Sequence, residues 1–218
     1  MSPGETLQAT PYQIKAGGAM NSKMYRIATA LAAALALSAC GGAAQPAEPP
    51  LAGAPIGGPF ALTDQNGKTV RDTDFAGKYR LVYFGYTFCP DVCPNDMMKV
   101  AAVMRGFDKS NPALAAKLVP IFITVDPARD TPKELKQFAS AFDSRIVALT
   151  GSPEAIAAVA KAYAVPFQAQ KPVNPGAGYL VDHGTITFLM GPKGEPIAPL
   201  SHEMTPEAMT AEIEKWVK

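Results

Sequence analysis

Apolar residues fall into short runs set off by Gly, Pro, Asn and Asp, with stretches of helical spacing between them. Leu81-Val-Tyr-Phe-Gly-Tyr86, Leu118-Val-Pro-Ile-Phe-Ile-Thr-Val125 and Arg145-Ile-Val-Ala-Leu-Thr150 have the length and side chains of buried strands. Helices are predicted from about Asn95 to Phe107, from Thr131, from Ser152 to about Tyr163 and from Thr205 to about Val217. The last three open on Thr-Pro or Ser-Pro. The hydroxyl residue caps, and proline, with no N–H to leave unpaired, takes the first helical position. Glu134 should close a capping box on Thr131. Phe60–Val70 reads as a hairpin with Asn66-Gly67 as a two-residue turn. Tyr179–Met190 and Glu195–Leu200 read as a second hairpin around Gly191-Pro-Lys-Gly194.

Strands alternating with helices imply parallel pairing, with helices covering the sheet faces. Two hairpins add antiparallel strands, so the expected class is α/β with a central mixed sheet flanked by helices. A strand that ends in a two-cysteine loop opening a helix is the arrangement of a thioredoxin-like fold.

The 218 residues suit one domain with a short appendage. Lys23 and Arg26 precede the apolar run Ile27–Leu37, a positive segment followed by an apolar one of signal-peptide length. It is shorter than the roughly 20 apolar residues a spanning helix needs. Leu37-Ser38-Ala39-Cys40 resembles a bacterial lipobox, in which the cysteine is lipidated and begins the mature chain; a plain signal peptide cut near Ala39, or an uncleaved anchor, is the alternative. Residues 1–19 look unlike a targeting signal, and Met20 or Met24 is a candidate start. The division is therefore a signal segment over 1–39, a lipidated N-terminus and flexible Gly/Ala/Pro tether over 40–58, and a folded domain over 59–218. This places the domain on the periplasmic side of a bacterial envelope, anchored by lipid on Cys40.

Hydrophobic residues make up 48% of the chain, enough for a packed core, and the formal net charge is only +1. No basic block and no interleaving of aromatics with arginines is present, which argues against nucleic acid as a partner.

The chemistry concentrates at Cys89 and Cys93, in Gly85-Tyr-Thr-Phe-Cys-Pro-Asp-Val-Cys-Pro94. Positions i and i+4 at a helix start share one face, so both sulfurs can meet one atom. The positive end of a helix lowers a thiol's pKa, and thiolate is both metal ligand and nucleophile. Pro90 and Pro94 stiffen the loop. Two thiolates suit Cu(I) or Zn far better than Mg or Ca. A structural zinc site needs four ligands, and the domain's other candidates, His183 and His202, lie in different settings. His183 is the candidate third ligand for a trigonal copper site, against the bland reading of a structural histidine. An inert disulfide across Cys89 and Cys93 is the corresponding bland reading for the thiols, and the small loop it closes makes it weak.

Together with Val125-Asp-Pro-Ala-Arg-Asp-Thr-Pro132 and Val181-Asp-His183, the cysteine segment resembles the SCO/SenC family of copper-binding proteins over about residues 56 to 216. The resemblance implies a thioredoxin-like fold with an added β-hairpin, and copper, Cu(I) or Cu(II), held by Cys89, Cys93 and His183. It implies help in building the binuclear copper centre (CuA) of cytochrome c oxidase subunit II, with that subunit, a periplasmic copper chaperone or a thiol reductase as partners. The family pattern has Ser after the histidine, where Gly184 stands here. The resemblance also brings Asp126, Arg129 and Asp130 near the site, with Asp182 beside His183 as a further neighbour. An ion pair and turn that organise the loop before Thr131 is the favoured reading of Asp126, Arg129 and Asp130.

Met97, Met98 and Met104 are soft enough to bind copper but at helical spacing belong to a core, and His202 reads as a solvated surface residue. The expected role is a metallochaperone rather than an enzyme. The alternative is a membrane-anchored thiol–disulfide oxidoreductase that reduces the oxidase's copper-site cysteines or a copper carrier. Three residues between the cysteines, where thioredoxins have two, disfavour generic thioredoxin activity. A thiol peroxidase would want a Thr three residues before the reactive cysteine, and Thr87 lies two before Cys89.

Overall fold

The computed structural model describes residues 47–218 apart from 173 and 175–177. The chain runs through β1 (Ala61–Asp64), β2 (Thr69–Arg71), a 3-10 turn (Asp72–Phe75), β3 (Tyr79–Gly85), α1 (Val92–Ser110), α2 (Pro112–Ala115), β4 (Leu118–Thr124), α3 (Pro132–Ser140) and β5 (Val147–Thr150). It continues through α4 (Pro153–Ala162), β6 (Phe167–Ala169), β7 (Val181–His183), β8 (Thr187–Met190), β9 (Pro196–Leu200) and α5 (Pro206–Trp216).

Seven strands form one sheet in the order β2-β1-β5-β4-β3-β8-β9. The central β3, β4 and β5 are parallel, with β1 and β8 antiparallel beside them. Parallel strands buried on both faces read as continuous apolar runs, and Leu81, Val82, Tyr83 and Phe84 in β3 are all buried, as are Ile121, Phe122 and Ile123 in β4. Helix α1 buries the stripe Cys93, Met97, Val100, Met104 and Phe107, the i, i+3, i+4 spacing of a face turned to the core. In register, Gly85 lies opposite Thr124, so β3 and β4 end together. The cysteine loop and the Val125–Asp130 loop thus leave the sheet side by side at its carboxyl edge, where such sheets carry their sites.

The expected mixed sheet is present, with local differences. The first hairpin has a three-residue loop, not the two-residue turn expected at Asn66-Gly67: the Asp64 N–H donates to the Lys68 carbonyl at 2.8 Å and Gly67 takes φ +78°. The Asp64 carboxylate fills the wider loop, accepting from the N–H groups of Asn66 and Lys68. Ser152 and Thr205 cap α4 and α5 as expected. At Thr131 no capping box forms, because the preceding turn is held by the side chains of Asp126 and Asp130 instead. The segment Tyr179–Met190 is not one strand: β7 pairs with β6 in a separate two-stranded sheet, and only β8 joins β9. The break Gly184-Thr185-Ile186 divides it.

The described part of the expected 40–58 tether lies on the domain. The Leu51 N–H donates to the Ile197 carbonyl at 3.0 Å and the Gly57 N–H to the Ala162 carbonyl at 2.9 Å. Leu51 and Ile56 pack against the core, so the apolar residues scattered among the glycines and prolines find partners. Cys40 and the 1–39 segment lie outside the described residues, and no helix among the described residues is long and apolar enough to cross a membrane. A chain starting at residue 59 should melt about 4–8 °C below one starting at residue 48, because two hydrogen bonds and apolar cover worth about 2 kcal/mol are lost. Equal melting by calorimetry would show that the segment contributes nothing to the fold.

Candidate metal centre

Helix α1 begins at Val92, earlier than the expected start near Asn95, so Cys93 stands in its first turn and Cys89 in the loop before it. The Cys93 N–H donates to Cys89 Sγ at 3.5 Å, and both thiols are free. Strand β7 ends on His183. The two sulfurs and a His183 ring nitrogen all lie within 4.8 Å of one another, forming a group of potential metal ligands among the described residues.

The imidazole is oriented from behind. His183 Nδ1 is 2.9 Å from the carbonyl oxygen of Gly184. A carbonyl only accepts, so Nδ1 carries the proton and Nε2 keeps its lone pair. Nε2 faces Cys93 Sγ at 3.2 Å. The rings of Tyr83 and Tyr86 meet the imidazole edge-on, at interplanar angles of 85° and 89°. The Val181 N–H donates to the Tyr86 hydroxyl at 3.2 Å, tying β7 to the residue that follows β3.

Glycine at 85 is required by the site. A β-carbon there would lie 2.8 Å from Tyr83 Cε1 and 2.9 Å from Cys93 Sγ. The sulfur occupies the space a side chain would fill. Glycine at 184 is different: a β-carbon would meet Val165 and Pro166 at 3.5 and 3.7 Å, ordinary contact. The departure from Ser therefore leaves the site's use of that residue, its backbone carbonyl, unchanged.

Three of the expected neighbours brace the loops. Asp130 is fully buried, and its carboxylate accepts from the Thr87 N–H at 3.0 Å, the Thr87 hydroxyl at 2.7 Å and the Thr124 hydroxyl at 2.6 Å. Burial pushes its carboxyl up, against the pull of those donors. Asp126 pairs with Arg129 and accepts from the Tyr179 hydroxyl at 2.7 Å. The Arg129 guanidinium lies 3.7 Å from the Tyr179 ring centre and 5.0 Å from that of Phe88, beside Cys89. The ion-pair reading thus describes Asp126 and Arg129, while Asp130 organises the turn through Thr87 and Thr124. Asp182 is not part of the site: it is exposed and accepts from Gln170 Nε2 at 2.7 and 2.8 Å. Successive residues of a strand point to opposite faces, so Asp182 cannot share the direction of His183.

Met97 and Met104 are core, but Met98 is 52% exposed, because the α1 stripe passes through 97 and 100 and leaves 98 outside. His202 is exposed, with Nδ1 3.1 Å from the Thr185 hydroxyl. The expected lowering of the thiol pKa by the helix end is overturned at Cys93, where burial pushes the thiol up. Tyr83, Tyr86 and Tyr179 escaped the sequence reading, and Thr87 was weighed there only as a peroxidase threonine. Gly85, a glycine inside an apolar strand, carried the one visible signal of close approach.

Two thiols and an imidazole nitrogen with a free lone pair, at the carboxyl edge of a thioredoxin-like sheet, define a protein suited to a soft metal ion. The chain belongs to the SCO1/SenC family, whose model matches residues 48–218. It is 41% identical over 159 residues to protein sco1 of Schizosaccharomyces pombe, covering 72% of this chain and 59% of that one. Against the Bradyrhizobium japonicum ScoI structure with copper bound, identity is 41%, coverage 74% of this chain and 99% of that one, and the TM-score 0.66. BsSco, described as having a disulfide switch and as a member of the Sco family of cytochrome c oxidase assembly proteins, is 25% identical, with 78% and 96% coverage and a TM-score of 0.60. The chain thus spans between two-fifths and three-fifths of the first curated relatives it matches.

Gly85→Ala should cost about 1–3 kcal/mol in urea unfolding, because Cys93 Sγ, Tyr83 and Phe122 close on the added carbon. A variant as stable as the parent would mean that the sulfur retreats freely.

Proposed function

We propose that this protein is a copper metallochaperone that holds copper between Cys89, Cys93 and His183 and delivers it during assembly of the CuA site of cytochrome c oxidase subunit II. The observation that carries the copper half is the three-atom group itself: two sulfurs and Nε2 within 4.8 Å, with the imidazole tautomer set by the Gly184 carbonyl. Copper here is cargo. Thiolate and imidazole suit Cu(I), and three ligands leave room for an incoming ligand from the recipient. Membership of a family with copper-bound structures supports the metal, and the oxidase assembly role described for BsSco supports the destination.

Cys89 is half-buried while Cys93 is buried, which favours thiol–disulfide exchange as a second activity. In that reading Cys89 attacks a partner's disulfide and Cys93 resolves the mixed disulfide, leaving the partner reduced by two electrons and this pair oxidised. The lipobox-like run ending at Cys40 supports a lipid anchor at the periplasmic side of the envelope.

In a chelator competition the reduced protein should bind one Cu(I), and His183→Ala should weaken binding at least tenfold while leaving the melting temperature of the metal-free protein within a few degrees. Equal affinity in variant and parent would remove His183 from the ligand set.

A further inference from the structure

The first turn of α3 carries a carboxylate without a local partner. In a capping box Glu134 would accept from the Thr131 N–H, but that N–H donates to the Arg129 carbonyl at 3.0 Å. Glu134 Oε2 is sealed from solvent and makes no hydrogen bond among the described residues, although the residue as a whole is half-buried. An unpartnered buried oxygen in a native fold calls for a reason. The lysines of the same helix do not supply it: Lys133 and Lys136 stand one and two positions away, and such neighbours do not face each other. Gln137 and Phe138, three and four positions on, do share the face of Glu134.

That face borders a cavity of about 270 Å³ lined by Thr87, Phe88, Glu134, Gln137 and Phe138. It lies between the start of α3 and the loop that carries Cys89. Its polar lining is rich in acceptors: the Glu134 carboxylate, the Gln137 side-chain carbonyl and the Thr87 oxygen, whose hydrogen is given to Asp130. Phe88 and Phe138 add aromatic rings, whose faces attract cations. Phe88 already shows that attraction, with the Arg129 guanidinium 5.0 Å from its ring centre. Arg129 is paired with Asp126, so its charge is balanced and does not oppose a second cation nearby. Asp91, in the cysteine loop, is exposed and accepts only from a neutral amide, Asn95 Nδ2, at 3.1 Å, while Lys99 is held by Asp96 at 3.2 Å. The face around the cavity therefore offers unpaired negative charge to whatever docks there.

We propose that this cavity takes the ammonium or guanidinium end of a lysine or arginine side chain on a protein that docks at the cysteine loop. The cation stacks on Phe88 and answers the charge of the Glu134 carboxylate, and Phe88 is 52% exposed and adjoins Cys89, so the contact brings the partner to the half-buried thiol. The proposal does not rest on the copper reading: the same contact would align a copper recipient or a disulfide partner.

The test is an NMR titration of the full-length protein with butylammonium chloride. The ring signals of Phe88 and Phe138 and the carboxyl carbon of Glu134 should shift together and saturate, with half-saturation at about 1–10 mM. The peptide acetyl-Ala-Lys-Ala-amide should do the same, and potassium chloride at equal ionic strength should not. Glu134→Gln should weaken binding about tenfold or more. Gln137→Lys places an ammonium of the chain itself three positions from Glu134, and should block both probes while leaving melting unchanged or raised. No saturable shift below about 100 mM overturns the proposal, as does an undiminished curve in either variant when it melts like the parent. Shifts reproduced by potassium chloride are screening and overturn it too. Butylammonium binding without binding of the lysine peptide makes the cavity a site for free amines and overturns the docking of a partner.

Discussion

The carboxylate of Asp130 holds the working edge of the molecule together. It accepts from the backbone and hydroxyl of Thr87, in the loop after β3, and from the hydroxyl of Thr124, the last residue of β4. Two adjacent parallel strands are thereby clamped where they end. The Thr124 oxygen also accepts from the Asp126 N–H, so the clamp extends into the loop that carries Arg129. In that loop Arg129 pairs with Asp126, covers the Phe88 ring beside Cys89 and lies against Tyr179. A buried carboxylate with three donors is well satisfied, and losing it would leave those donors facing an apolar interior.

On the other side of the cysteine pair the constraint is volume rather than charge. Cys93 Sγ fills the space over Gly85, and the aromatic rings of Tyr83 and Tyr86 close around the imidazole. The three ligand atoms lie within bonding reach of one centre after small movements. Burial raises the thiol of Cys93, so the electrostatic help of the helix end is outweighed until a cation arrives. Metal and proton therefore compete directly for that sulfur.

Much of this was legible in the sequence, for identifiable reasons. Strands β3 and β4 stand out because burial on both faces makes them continuous apolar runs, and the Ser-Pro and Thr-Pro helix starts follow from local chemistry. The cysteine pair was legible because its spacing is local. His183 was only weakly legible on its own: it lies 90 residues from Cys93, and a candidacy reached by counting possible ligands was joined to the pair by the family resemblance. The tether was misjudged because composition cannot see that Leu51 and Ile56 have a core to pack against. The capping box at Thr131 failed because tertiary contacts of Asp126 and Asp130 took over the turn. Tyr83 was legible only as part of a buried strand, and only the fold brings its ring and the Cys93 sulfur together over Gly85.

The small β6–β7 sheet stands apart from the seven-stranded one, and His183 is its last residue. Its described bonds to the β3 side are few, chiefly Val181 to the Tyr86 hydroxyl. An ion shared by Cys93 and His183 is then a cross-link closing a long loop, and closure restricts the chain most where the joined segments are otherwise free. Loading should therefore be felt as stiffening of the ribbon more than of the sheet. A bound ion would then mark the protein through the quietness of the surface beside it as well as through its charge.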